Sequence, residues 1–183
     1  RETSPSGRAT LSYELSDDAR VYASFGRGFR AGGFDGTTIW SAPEANAFES
    51  EEVWAYEAGV KFLPRGGPVQ IEAAGFYYDF SNIQAGSTIV YDGASTAVRT
   101  NVGKARSFGG ELSINARPTR GLFLDLGVAL LDTKILAIDT GTDAERLRRV
   151  GSALPFAPNM TLNGAIRYVI PLSDKLELIP QVN

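Results

Sequence analysis

The chain contains no cysteine and no histidine among its 183 residues. Zinc sites, haem ligation through either side chain, thiol redox chemistry and histidine-based triads are therefore excluded within it. Missing cysteine fits any compartment, so location stays open on that ground. No run approaches the roughly 20 consecutive apolar residues that a membrane-crossing helix needs. A crossing strand needs only about 9–11 residues with every second one apolar, so a membrane barrel is not excluded. The net charge of −3 is too small to point to a nucleic-acid partner. No charged-then-apolar leader stands at Arg1, and the expectation is that the natural N-terminus lies upstream or that a leader has been removed.

What is present favours a folded domain. Hydrophobic residues make up 43% and charged residues 21%, enough apolar surface to argue against disorder. The apolar residues recur with a period of two. Trp54, Tyr56, Ala58, Val60 and Phe62 alternate with Ala55, Glu57, Gly59 and Lys61. The same alternation runs through Phe108–Ala116, Leu122–Leu130, Met160–Tyr168 and, near the start, Arg8–Leu15. Side chains of a strand point to alternate sides, so each segment has one apolar and one polar face. Val21–Phe29 and Val69–Phe80 are strand-like with weaker alternation, and Leu176–Val182 reads as a further strand blemished by Pro180.

The connections alternate as well. Ser16–Asp18, Pro64–Pro68, Pro118–Gly121 and Pro171–Asp174 are short and rich in turn formers. Ala31–Ser50, Ser81–Ala97 and Ala137–Pro158 are long. In an up-and-down sheet, alternate connections lie at opposite ends, which puts tight turns at one end and tall loops at the other. Transmembrane barrels have that anatomy, with short periplasmic turns and long extracellular loops. The aromatic residues Tyr13, Tyr22, Trp54, Tyr56, Tyr77, Tyr78, Phe108 and Tyr168 lie near strand ends, where interfacial girdles belong. Aromatics also simply favour strands. The expected fold is all-β: an antiparallel up-and-down transmembrane β-barrel, one partial domain over residues 1–183 with about 7–8 strands present.

Five blocks then resemble one family. Val21-Tyr22-Ala23-Ser24-Phe25-Gly26-Arg27-Gly28-Phe29-Arg30-Ala31-Gly32-Gly33-Phe34 resembles the "VYASFSRGFRAGGF" segment of TonB-dependent outer-membrane receptors. Phe48–Lys61 resembles their "F-x-P-E-x-V-x-x-Y-E-x-G-x-K" signature, with Ser50 where proline is usual. Ala73–Gln84 is similar to "A-x-F-Y-x-D-Y-x-D-I-Q", and Asn101–Leu112 to "N-x-G-x-A-x-S-x-G-x-E-L". Leu154-Pro155-Phe156-Ala157-Pro158 is similar to the "L-P-x-A-P" before a late strand. The blocks keep the family's order and cover nearly the whole chain.

The resemblance implies a bacterial outer membrane, a barrel of about 22 strands filled by an N-terminal plug, and transport powered through TonB. It implies a fragment from the second half of the barrel, without plug or terminal strands. The implied partners are outer-membrane lipid and lipopolysaccharide, the chain's own plug, the TonB complex and a small-molecule cargo, most often a ferric siderophore or other metal chelate. No catalytic residues, metal ligands or cofactors are expected. A passive pore, a small stand-alone barrel and a soluble all-β binding module remain as alternatives.

The candidate residues follow from face and loop. Glu57, Lys61, Glu72, Glu111, Asp125 and Arg167 fall on polar faces and are expected to face the lumen, although any watery lumen carries charges paired across strands. Ligand contacts are expected from the long loops: Arg30, Phe34 and Trp40 in the first, Tyr91 and Arg99 in the second, Arg146, Arg148 and Arg149 in the third. The chain holds 14 arginines against 4 lysines. The arginine fork suits carboxylate, catecholate or phosphate groups, and equally the phosphates of lipopolysaccharide. Gly26–Gly32 only faintly suggests a dinucleotide loop, because the spacing is wrong and no helix follows. Asn159-Met160-Thr161 fits a glycosylation pattern by chance.

Overall fold

A computed structural model describes residues 4–34, 47–91, 94–139 and 149–183 of the chain. One eight-stranded antiparallel sheet dominates it. Its strands are β1 (Gly7–Ser16), β2 (Ala19–Arg30), β5 (Glu51–Phe62), β6 (Val69–Ser81), β9 (Gly103–Ala116), β10 (Leu122–Ile138), β11 (Met160–Tyr168) and β14 (Gln181–Val182), in that spatial order. Within this sheet each strand pairs with the one before and after it along the chain, so the sheet is an up-and-down meander. The order ends at β1 and β14, and the sheet is open.

The register makes each row of side chains uniform. One row runs Tyr13, Val21, Val60, Ala73, Leu112, Val128 and Leu162, apolar on every strand. The adjacent row runs Glu14, Arg20, Lys61, Glu72, Ser113, Gly127 and Asn163. A one-residue slip would exchange the two, which is why alternation fixes register so firmly. Among the described residues the fully enclosed hydrophobic core consists of Ala105 alone. Leu11, Leu130, Leu162 and Ile166 are more than half exposed along the apolar face. A soluble sandwich would have to cover that face with a second sheet, and the described sheet has none.

Toward the long-connection end, Phe25, Tyr56, Tyr77 and Phe108 are direct register neighbours on the apolar face. The first three rings pack at 5.2 and 6.2 Å between centroids. Tyr22 and Tyr78 do not join this girdle. Their register puts them on the polar face, where Tyr78 stacks on Phe76 at 5.2 Å and meets Phe80 edge-on at 6.3 Å. That polar-face aromatic column is the reason Val69–Phe80 alternates poorly.

The connections are asymmetric as the sequence suggests, with two corrections. The short-turn end is stitched by backbone bonds: Leu63 donates to the Asp18 carbonyl, Arg117 to Pro68 and Val169 to Gly121, at 2.6–2.8 Å. At the other end the second long connection is not a loop through Ser81–Ala97. It is a hairpin of β7 (Gln84–Tyr91) and β8 (Ala94–Asn101), whose threonines, valines and isoleucine suit strands. The first connection carries a short pair, β3 (Gly33–Phe34) with β4 (Ala47–Phe48). Leu176–Val182 is not one continuous strand either. β12 (Ile170–Ser173) pairs β13 (Leu176–Leu178), and the chain breaks at Ile179-Pro180 before β14, because proline brings no donor to a ladder.

Candidate functional site

Two clusters stand out, one on the polar face and one where the long connections leave the sheet. On the polar face, Glu57, Lys61, Glu72 and Glu111 line one hollow with Tyr22, of about 360 Å3. Lys61 forms an ion pair with its register partner Glu72. The Tyr22 hydroxyl donates to Glu57 Oε1 at 2.8 Å. Three carboxylates thus share one lysine and one phenol. Asp125 and Arg167 belong to a second hollow, at the short-turn end, with Phe123. Arg167 and Arg117 stack on the Phe123 ring at 4.3 and 4.9 Å, so the six charged residues divide four and two.

Glycine makes room for the large polar-face side chains. Tyr22 lies across its register partner Gly59, where an added Cβ would stand 2.7 Å from the ring and 2.7 Å from the Ala73 carbonyl oxygen. Phe76 lies across Gly109 in the same way, 2.8 Å from the position of an added Cβ. A Cβ at either position forces strand or ring to move.

The second cluster is a knot of amides at the base of the long connections. Gln84, 7% exposed, is its centre. Its Nε2 donates to the carbonyls of Arg30 (3.3 Å), Ala31 (3.0 Å) and Glu49 (3.1 Å), and its backbone N–H donates to Glu51 Oε2 at 2.8 Å. Asn101 Nδ2 donates to the carbonyls of Glu49 (3.0 Å) and Asn82 (2.8 Å), while its Oδ1 accepts from the Glu49 N–H at 2.7 Å. Two side chains of the β7–β8 hairpin therefore tie down both ends of the first long connection.

Above this knot stand three of the sequence-nominated ligand residues. Arg30 ends β2 and pairs with Glu51 at 3.4 Å. Phe34 on β3 is 78% exposed. Arg99 on β8 lies over the Phe48 ring of β4 at 5.9 Å, and this contact joins the two connections. Tyr91 closes β7, at the far end of the hairpin from Gln84. Arg149 is exposed in the third connection, where Gly151 donates to the Ile135 carbonyl at 2.8 Å and anchors the chain to β10. Trp40, Arg146 and Arg148 lie outside the described residues.

Sequence reasoning misses Gln84, Asn101, Glu49 and Asn82. The signal is present: Asn82 and Gln84 close one family-like block and Asn101 opens the next. An amide with donors and an acceptor is what a knot of backbone groups requires. It also misses Arg27, which pairs with Glu52 and lies over Trp54 at 5.3 Å on the apolar face.

Comparison with known proteins agrees with this geometry. The family model described as "TonB dependent receptor-like, beta-barrel" matches residues 1–178. The pesticin receptor of Yersinia enterocolitica is 27% identical over 165 residues, 90% of this chain and 22% of its own length. The crystal structure of the ferric yersiniabactin uptake receptor FyuA from Yersinia pestis superposes with a TM-score of 0.72 at 24% identity, over 96% of this chain and 24% of that one. The siderophore receptor PiuA from Acinetobacter baumannii gives 0.68 at 17% identity, over 89% and 23%. The chain thus spans about a quarter of the length of these relatives.

Proposed function

This chain belongs to the TonB-dependent receptor-like β-barrel family and lies in the bacterial outer membrane, and from that premise we propose that the whole protein imports a ferric siderophore or similar metal chelate. Residues 1–183 form a single partial barrel domain in this reading, completed by further strands and by a plug. The apolar face meets lipid, and the polar face lines the lumen. Energy comes from TonB acting on the plug, and the barrel wall performs no catalysis.

The observation that carries the reading is the junction of Arg99 and Phe48 above the Gln84 knot. It sets a cation against an aromatic face at the mouth of the barrel, next to the strand that carries exposed Phe34, on a base fixed by hydrogen bonds. Arginine and an aromatic surface together suit an anionic, planar chelating group. That the pesticin receptor, FyuA and PiuA are by name receptors, FyuA for a ferric chelate and PiuA for a siderophore, supports the same class of cargo. Within the lumen, Glu57, Glu72 and Glu111 outnumber Lys61 and offer a surface for a basic patch on the plug.

The test is uptake of radiolabelled iron, presented as a panel of ferric siderophores, in iron-starved cells relying on the complete receptor. At least one chelate is expected to be accumulated, and collapse of the inner-membrane proton gradient is expected to stop it. Uptake that persists without the gradient points instead to a passive pore.

A further inference from the structure

Arg106 and Lys134 are direct register partners on β9 and β10. Both fall on the lipid-facing side, as Arg106 shows by lying over Phe108 at 5.8 Å. Phe108 belongs to the aromatic row that marks the interface at the long-connection end, and Arg106 stands one step further out. Lys104 follows on the same strand and is exposed.

Like charges directly opposite across a ladder repel and weaken the sheet. Two carboxylates stand nearby without closing an ion pair on either cation. Asp79 is the register partner of Arg106, and Asp132 precedes Lys134 by two residues on the same face. Among the described residues, neither Arg106 nor Lys134 makes an ion pair, and Arg106 Nε is buried with no hydrogen-bond partner. At the same height Arg27 is neutralised by Glu52, so unpaired cations are not the rule at this level of the wall.

We propose that Arg106 and Lys134, with Lys104 beside them, are a docking surface for the phosphate groups of lipopolysaccharide in the outer leaflet. The inference rests on the outer-membrane setting and is independent of the cargo. An external anion turns the repulsive pair into a site: two cations converge on one phosphate, with the Phe108 ring below as a floor for acyl chains. The aromatic row sets the depth, and the charges sit where headgroups begin.

The experiment uses the complete receptor in detergent, incubated with diphosphoryl lipid A or the same lipid dephosphorylated, with occupancy read by native mass spectrometry. The Arg106→Gln/Lys134→Gln double variant is expected to weaken binding by roughly 30-fold, at the usual strength of each of two basic residues near an anionic leaflet. The charge-keeping Arg106→Lys/Lys134→Arg variant and Lys175→Gln, at the opposite end of the wall, are expected to bind as wild type. Heat-dependent gel mobility reports that each barrel is folded. Undiminished binding by the glutamine variant, an equal loss in Lys175→Gln, or no preference for the phosphorylated lipid overturns the proposal.

Discussion

Replacing Gln84 by alanine should loosen the mouth of the barrel while leaving the barrel itself intact. The Gln84 amide reaches three backbone carbonyls, of Arg30, Ala31 and Glu49, and these sit at the two ends of the first long connection. An amide nitrogen carries two protons, so the three contacts amount to about two hydrogen bonds. At a net 0.5–1.5 kcal/mol each, truncation costs about 1–3 kcal/mol. The cost is local, because the ladder bonds of β2, β5 and β6 beneath are untouched. A change of 1.4 kcal/mol is tenfold in an opening equilibrium, so amide exchange around Gly33, Phe34 and Ala47–Ser50 should quicken by roughly 5- to 150-fold.

Hydrogen exchange read by mass spectrometry on the complete receptor measures this directly. Amides of β9 and β10 serve as the internal reference and should exchange as before. Gln84→Glu is a sharper version: its carboxylate meets three carbonyls and the nearby Glu51, so it should open the mouth further than alanine does. Unchanged exchange at the mouth in both variants refutes the knot as the element holding the long connections. So does uniform quickening across β9 and β10, since the amide would then be supporting the sheet as a whole.

Two further outcomes test the assignment of faces. Leu126→Arg, near the middle of the apolar face of β10, should cost about 2–4 kcal/mol in a lipid-based unfolding titration, whereas its polar-face neighbour Asp125→Asn should cost under about 1 kcal/mol; equal costs sink the face assignment. Gly59→Ala should displace Tyr22 from Glu57 and cost about 1–3 kcal/mol, read by the same titration together with the ultraviolet signature of a tyrosine freed from its acceptor; a neutral outcome refutes the close fit of Tyr22 and the Ala73 carbonyl around Gly59.

Strand identity and the face each residue takes are legible in the sequence because they depend on period-two alternation, a local property, whereas the register between strands is not. Glu57, Lys61, Glu72 and Glu111 can be placed on one face from sequence alone, and the register brings them to one hollow. The misplacements have a shared cause, which is that they depend on more than local pattern. Residue type nominates Tyr22 and Tyr78 for the girdle, yet parity puts them on the other face, where Gly59 opens the space that Tyr22 needs. The β7–β8 hairpin resembles a loop because its polar alternation offers no apolar stripe. The Gln84 knot is invisible, since its partners are carbonyls 35 to 54 residues away and a carbonyl has no sequence signature.

The open sheet itself argues for what surrounds it. Among the described residues β1 pairs only with β2, so its outer edge presents there a row of unpaired donors and acceptors over ten residues. In water such an edge invites aggregation; in hydrocarbon each unsatisfied group costs several kcal/mol. Neither Leu11 nor Tyr13 is shielded, at 78% and 67% exposed, and both stand on the apolar face. An isolated eight-stranded barrel removes the edges only if β1 meets β14, and β14 offers two residues against the ten of β1. The mismatch leaves most of the β1 edge without a partner within this sheet. A sheet of this kind placed in lipid would therefore require strands beyond these eight, which fits relatives about four times as long.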